Sequence, residues 1–341
     1  MRVTEFDVIV IGGGPAGMAS ALSASERGAS VLLAERSNAL GGTLNQCAHS
    51  GFGLTYFREE LTGREYAARF VARVNESGIN VMTDTCVISL QPDAIAVLSG
   101  SQGLMTVRAK SVILASGCRE RPIGTLDIAG TRPSGVFTAG AAQRMMNIGG
   151  YDIGAHFVIL GSGDVGMIVA RQLKQLGKEV IAVLEQSDKC GGLERNRINC
   201  LERYGIPLRT RRTISAIYGN ERVLGVTEMN LDSGVEERIP CDTLITSVGL
   251  IPERELCEEA STDGRLPDWL FLCGNSCYVH DTVDDVTVES ETAGALAAEY
   301  AKTGKISSFP VFVKHMSPSI SAMICTACPK ACPIAINSNG Y

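Results

Sequence analysis

Gly12, Gly14 and Gly17 stand at G-x-G-x-x-G spacing directly behind the apolar run DVIVI of residues 7–11. That order of residue types suits one task, holding the pyrophosphate of a dinucleotide. The first glycine permits a tight turn and the second lets the backbone approach phosphate oxygens. The third lets the next helix pack closely on the strand. Pro15 and Ala16 open that helix, expected over residues 15–27. Its N-terminal N–H groups and positive dipole end face the phosphates. A second strand, residues 30–34, ends at Glu35. This is about 20 residues past the glycines, where a carboxylate accepts from ribose hydroxyls.

The pattern recurs. Gly161, Gly163 and Gly166 follow the run HFVIL of residues 156–160. Asp164 and Val165 open a helix expected to reach residue 176, and a strand over 179–184 leads to Glu185. Such internal repetition points to a duplicated nucleotide-binding unit. Glu185 is followed by Gln186 rather than an arginine. An acid here hydrogen-bonds a 2′-hydroxyl and repels a 2′-phosphate, so the second turn should prefer NAD(H) to NADP(H).

Other elements must position these turns. Arg36 and the glycine pair Gly41-Gly42 with Thr43 form a loop expected to pass close to a bound nucleotide. Residues 63–77 read as an amphipathic helix, and residues 80–82, 86–90, 94–98 and 104–108 as a small antiparallel meander. A buried strand ends on Ser116-Gly117, and a similar run ends on Gly249. Residues 134–150 read as a loop and helix. The last buried strand ends on Gly274-Asn275, and a helix over 286–302 should return the chain to the first unit.

The chain has 341 residues, enough for two domains, and 45% of them are apolar. A net charge of −6 argues against a nucleic-acid surface. No run of 18 apolar residues occurs and the N-terminus enters a strand directly, so neither a membrane span nor a signal peptide is expected, and the location is expected to be cytoplasmic. Of twelve cysteines, nine are scattered and read as reduced core thiols. Cys325, Cys328 and Cys332 form C-x2-C-x3-C-P, a spacing akin to iron–sulfur ligation. A four-thiolate site, holding an iron–sulfur cluster or zinc, would need another ligand such as Cys273 or Cys277, or a partner's. The plain alternative is a tail without metal.

Two dinucleotide units in tandem, the second inserted in the first, resemble the two-domain flavoprotein pyridine-nucleotide oxidoreductases, of which thioredoxin reductases are small members. The resemblance implies an α/β chain with two Rossmann-like three-layer domains. Residues 1–125 and 251–310 would bind FAD, 126–250 would bind NAD(H), and 311–341 would form a cysteine-containing tail. The implied FAD contacts are Gly12, Gly14, Pro15, Ala16, Gly17, Glu35, Arg36, Gly42, Thr43, Ser116, Gly117, Gly274 and Asn275. Asn275 stands where the family has aspartate. The implied nicotinamide-nucleotide contacts are Gly161, Gly163, Asp164, Val165, Gly166, Glu185 and Gly249.

The redox cysteines depart from those relatives. Residues 136–143 lack the Cys-x-x-Cys of thioredoxin reductases, and only Cys47 follows the Gly-Gly-Thr. A dithiol relay needs two thiols within bonding distance, so disulfide reduction is rejected. The strings LNQCAHSGFG (44–53), SGCRERP (116–122), GTRPSGVFTAG (130–140) and GNSCYVHD (274–281) resemble a narrower group. These are the FAD/NAD-binding partner proteins of FAD-dependent glycerol-3-phosphate or 2-hydroxyglutarate dehydrogenases. The resemblance implies an electron-transfer subunit with a partner dehydrogenase and a cysteine-rich small protein or module, and it leaves room for a homo-oligomer.

Cys47 and His49 are candidates to face the flavin as thiolate and proton carrier, or else are ordinary loop residues. His280 beside Asp281 is an acid–base candidate, because a carboxylate fixes an imidazole's tautomer. His156 reads as structural, and His315 has no assigned role. Cys118 to Arg121 either help to position an anion or form a solvated charge run. The competing functional reading is a self-sufficient flavin NADH oxidase or peroxidase using Cys47 as a sulfenate. A third is a nucleotide-binding scaffold without turnover.

Overall fold

A computed structural model describes residues 4–261 and 265–306. The chain divides into two compact units. Residues 4–45, 49–117 and 252–306 make the first, and residues 46–48 and 118–251 make the second.

The first unit opens with β1 (Thr4–Ile11), α1 (Pro15–Glu26), β2 (Val31–Ala34), α2 (Gly63–Glu76) and β3 (Asn80–Met82). β4 (Cys86–Gln91), β5 (Ile95–Gly100) and β6 (Gly103–Leu114) follow. The sheet order is β3-β2-β1-β6-β5-β4. Val8, Ile9 and Val10 are completely buried, as the central strand of a sheet covered on both faces requires. Two expectations need correction. β3 is no part of the meander: it pairs in parallel with β2, Ala34 opposite Met82. The runs 104–108 and 112–114 belong to one long strand, β6. Its first part pairs antiparallel with β5, and further along it pairs in parallel with β1. The exposed Arg108 and Lys110 alternate with buried Val107, Ala109 and Ser111, so polar residues on one face disguised the continuity.

The second unit contains β7 (Val136–Thr138), α3 (Ala139–Asn147), β8 (His156–Leu160), α4 (Asp164–Gln175) and β9 (Glu179–Glu185). Then come β10 (Leu208–Thr210), β11 (Arg212–Gly219), β12 (Val223–Asn230), β13 (Glu236–Ile239) and β14 (Thr243–Thr246). β7-β14-β8-β9-β10 is a wholly parallel sheet. Phe157 and Ile159 of β8 pack on one face with Met167 and Leu173 of α4. Val158 and Leu160 pack on the other with Ile214, Ile217 and Val226 of the antiparallel strands. The result is three layers: helices, parallel sheet and antiparallel sheet. Residue alternation along the chain does not announce β11–β13. Register shifts at Ile214/Ala216 and Tyr218/Gly219 break the two-residue alternation that would have revealed them.

The chain returns to the first unit as β15 (Leu270–Leu272), parallel to the end of β6, and α5 (Val283–Thr303). α5 begins three residues earlier than residue 286, because Thr282 caps it by accepting from Asp285 N. It crosses α1 closely: a Cβ at Gly294 would lie 2.2 Å from Ser20 O, and Ser23 Oγ donates to Glu291 O at 2.6 Å. Buried Asp284 accepts from the backbone N–H groups of Gly53, Thr55 and Tyr56. Among the described residues no helix is long and apolar enough to cross a membrane.

Candidate functional site

In the first unit β1 runs into Gly12, whose φ of +108° is open to glycine but strained for other residues. Its N–H donates to Ala34 O at 2.8 Å, and a Cβ would lie 2.4 Å from Ala115 O. A Cβ at Gly17 would lie 1.7 Å from Gly12 O. The turn is thus as tight as backbone permits. Pro15 starts α1, which has no side-chain cap and no acid in its first turn.

Among the described α-helices of nine residues or more, the lack of a side-chain cap is selective. α2, α3 and α5 are capped by Thr62, Thr138 and Thr282. The two helices that follow glycine turns, α1 and α4, have no side-chain cap from the residue before them, although in α4 Ser247 Oγ accepts from Gly166 N. An uncapped helix start leaves N–H donors for an anion. A dinucleotide pyrophosphate therefore fits both turns.

Glu35 is buried at the end of β2. Its Oε2 accepts from Gly13 N at 2.6 Å and its Oε1 from Ser37 N at 2.7 Å. The glycine-pair loop runs beside the turn, with Gly41 N donating to Gly13 O at 2.8 Å. A Cβ at Gly42 would lie 2.9 Å from Gly14 Cα. Arg36 and Thr43 are exposed. Ser116 Oγ donates to Glu253 O at 2.7 Å, so this hydroxyl holds the returning chain. Gly117, at φ +77°, accepts from Glu253 N.

Gly274 packs on the first turn of α1, where a Cβ would meet Ala16 Cβ at 2.7 Å. Asn275 therefore comes to the same end of the sheet as the glycine turn. Its Oδ1 accepts from His280 N at 3.0 Å. The carboxylate partner of His280 is Glu289, not the neighbouring Asp281, which is exposed. α5 brings Glu289 to the ring, a contact that adjacency along the chain did not reveal. Glu289 Oε1 also accepts from Gly274 N at 3.2 Å, and the imidazole stacks on Tyr278 at 4.0 Å. The His280 side chain is only 3% exposed, so it braces the Gly274-Asn275 turn rather than facing solvent.

The second unit repeats the first. Gly161, at φ +96°, donates to Leu184 O, and a Cβ would lie 2.1 Å from Ser247 O. Gly166 N donates to Ser247 Oγ at 3.2 Å, and a Cβ at Gly163 would lie 3.1 Å from the same oxygen. Val165 lies in the first turn of α4. Glu185 Oε2 accepts from Ser162 N at 2.9 Å and Ser162 Oγ at 2.6 Å, and its Oε1 accepts from Ser187 N at 3.0 Å. Gly249, at φ +111°, accepts from Arg121 N.

Three further contributors, not among the expected contacts, are Ser162, Ser247 and the loop Cys190-Gly-Gly-Leu193. Gly191 N donates to Ser162 Oγ, Gly192 N to Ser162 O and Leu193 N to Asp164 Oδ1. The signal was present. E-x-S-x-x-x-G-G occurs from Glu35 to Gly42 and again from Glu185 to Gly192.

Cys47 is half-buried, with Sγ 3.8 Å from Gln143 Oε1 of α3 in the second unit. The His49 ring belongs to the first unit and packs on Phe52 at 5.1 Å. Glu120 belongs to neither reading offered for its segment. It accepts from Gly140 N at 2.8 Å and Ala141 N at 3.3 Å, at the start of α3. None of the nine described cysteines is in a disulfide. Cys325, Cys328 and Cys332, like His315, lie outside the described residues. Among the described residues no group of three or more His, Cys, Asp or Glu is placed to hold a metal. Cys273 is fully buried, and desolvation pushes its thiol up to about 12, which disfavours the thiolate a metal needs.

Comparison with known proteins agrees with this fold. The profile of the pyridine nucleotide-disulphide oxidoreductases matches residues 6–264. The opine oxidase A subunit of Agrobacterium tumefaciens is 28% identical over 284 residues, 76% of this chain and 55% of that protein. The chain thus spans about half the length of that relative. Hydrogen cyanide synthase subunit HcnB of Pseudomonas protegens is 24% identical over 339 residues, 90% of this chain and 70% of that protein. The crystal structure of thioredoxin reductase from T. acidophilum superposes with a TM-score of 0.71 at 18% identity, covering 88% of this chain and 98% of that one.

Proposed function

This chain belongs to the pyridine nucleotide-disulphide oxidoreductase family, and on that footing we propose that it is an electron-transfer subunit. It passes reducing equivalents between NAD(H) and a partner dehydrogenase or other redox centre by way of FAD. One observation carries the proposal: two glycine turns, each braced by a strand-end glutamate and each followed by a helix without a side-chain cap.

The first turn, with Glu35 and the Gly274-Asn275 turn, is the FAD site in this reading. The second, with Glu185, is the NAD(H) site. FAD, when bound, supplies the hydride chemistry. The protein's residues bind and orient. Glu35 and Glu185 select ribose hydroxyls, α1 and α4 receive the pyrophosphates, and Glu185 disfavours a 2′-phosphate. The lack of any cysteine in residues 136–143 supports an acceptor other than a protein disulfide. The opine oxidase relative and HcnB are by name subunits, which supports a partner here. The strings quoted above favour an FAD-dependent glycerol-3-phosphate or 2-hydroxyglutarate dehydrogenase in that role.

The test is anaerobic titration of the FAD-loaded protein with NADH. Loss of the flavin's visible absorption is expected, with NADPH much weaker. An intact flavin that NADH leaves oxidised sinks the proposal. The competing self-sufficient oxidase or peroxidase rests on half-buried Cys47 beside Gln143. Cys47→Ser separates the two, because electron transfer from NADH to an artificial acceptor persists only if that thiol has no part in it.

A further inference from the structure

The two acids that brace the glycine turns are not equally occupied. A carboxylate offers about four lone-pair directions. Glu35 uses two of them, one for Gly13 N and one for Ser37 N. Two remain, enough for both hydroxyls of one ribose. Glu185 uses three, for Ser162 N, Ser162 Oγ and Ser187 N. One remains.

We infer that Ser162 is a specificity-determining residue. It limits the acid of the second site to a single ribose hydroxyl, and so makes that nucleotide the exchangeable one. This rests on reading the second turn as the NAD(H) site.

The extra donor is fixed in place. Ser162 is fully buried, and its hydroxyl also accepts from Gly191 N at 2.7 Å. Rotating the hydroxyl away from Glu185 would disturb the contact with Gly191, and leaving a buried N–H unpaired is costly. In the first unit the equivalent position is glycine and is crowded by side chains. A Cβ at Gly13 would lie 2.5 Å from Leu40 Cδ2 and 3.0 Å from the Glu35 carboxylate. One position within each glycine turn therefore decides how many hydroxyls the facing acid takes. A tightly held group suits the turn with glycine, and a departing substrate suits the turn with serine.

The experiment uses the FAD-loaded protein and three probes, ADP, 2′-deoxy-ADP and 3′-deoxy-ADP, titrated by calorimetry while flavin absorbance confirms that FAD stays bound. In the wild type one deoxy analogue should bind as ADP does, and the other about tenfold more weakly, the size of one charged hydrogen bond. In Ser162→Ala both analogues should bind about tenfold more weakly than ADP, and ADP itself about tenfold more tightly than to the wild type. Ser162→Thr should restore the single-hydroxyl pattern. Equal penalties for the two analogues in the wild type overturn the inference, as does an unchanged pattern in Ser162→Ala. If that variant does not fold, the wild-type comparison alone decides. Failure of both ADP and NADH to bind removes the NAD(H) reading itself, and this inference with it.

Discussion

Gly17 approaches Gly12 so closely that a Cβ on Gly17 would stand 1.7 Å from the Gly12 carbonyl oxygen. The contact is backbone against backbone, so no side chain can yield. Gly17→Ala should cost on the order of 3 kcal/mol and abolish FAD retention, read as flavin content and melting temperature. Gly78→Ala is the control, since nothing lies within 4 Å of its Cβ position. A variant at Gly17 that keeps flavin and stability would refute the close-packed turn.

Asp7 ties three strands at the start of the first sheet. It receives Lys110 Nζ at 2.7 Å and both Ser30 N and Ser30 Oγ at 2.8 Å. The Lys110 hydrogen bond, then the Ser30 backbone N–H, lower its carboxyl from 3.8 to about 2. A folded value below the unfolded one stabilises the protein above the unfolded value, and the benefit is lost as pH falls through the folded value. The side chain is 28% exposed, so solvent screening leaves about 1 kcal/mol. Asp7→Asn should melt lower than wild type at neutral pH, and the two melting curves should converge as pH falls from about 5 to about 2. A gap that persists into acid would show that Asp7 acts by shape alone.

Glu289 holds two groups at the Gly274-Asn275 turn, the His280 ring and Gly274 N. The His280 side chain is 3% exposed and that of Glu289 17%. Glu289→Ala removes the acceptor from a buried ring, a change that costs about 3 kcal/mol. Lower melting and weaker FAD retention are expected, with Glu289→Gln recovering part of both. Unchanged retention in the alanine variant would detach this pair from the first nucleotide site.

Burial pushes the Cys241 thiol up to about 11 and those of Cys257 and Cys273 up to about 12. Thiolates are the reactive species. Maleimide at mildly alkaline pH should therefore label exposed Cys86 in the native protein and reach the other three only after unfolding. Peptide mapping reads the outcome, and native labelling of Cys273 would contradict the packing of β15.

The glycine turns and their acids were legible because each signal is local: a strand, three glycines and a carboxylate in fixed order. Partnerships made across the fold were not. Glu120 caps a helix some twenty residues downstream, and His280 takes its carboxylate from α5 rather than from Asp281. β3 looked like one more meander strand, because nothing in three residues declares a parallel partner. The bulged strands β11 and β12 lost their alternation to register shifts. Ser162 went unremarked because a serine inside a glycine motif acquires meaning only when its hydroxyl is seen against Glu185.

The close crossing of α1 and α5, with β15 beside β6, has a consequence for biosynthesis. The first unit is completed by residues 252–306, which leave the ribosome after the second unit has been made, whereas the second is nearly one unbroken stretch, 118–251. During translation the inserted unit can therefore mature while its host is still an open sheet waiting for its final strand and helix. A released chain that ends just past residue 251 should yield a protease-resistant core made of the second unit alone.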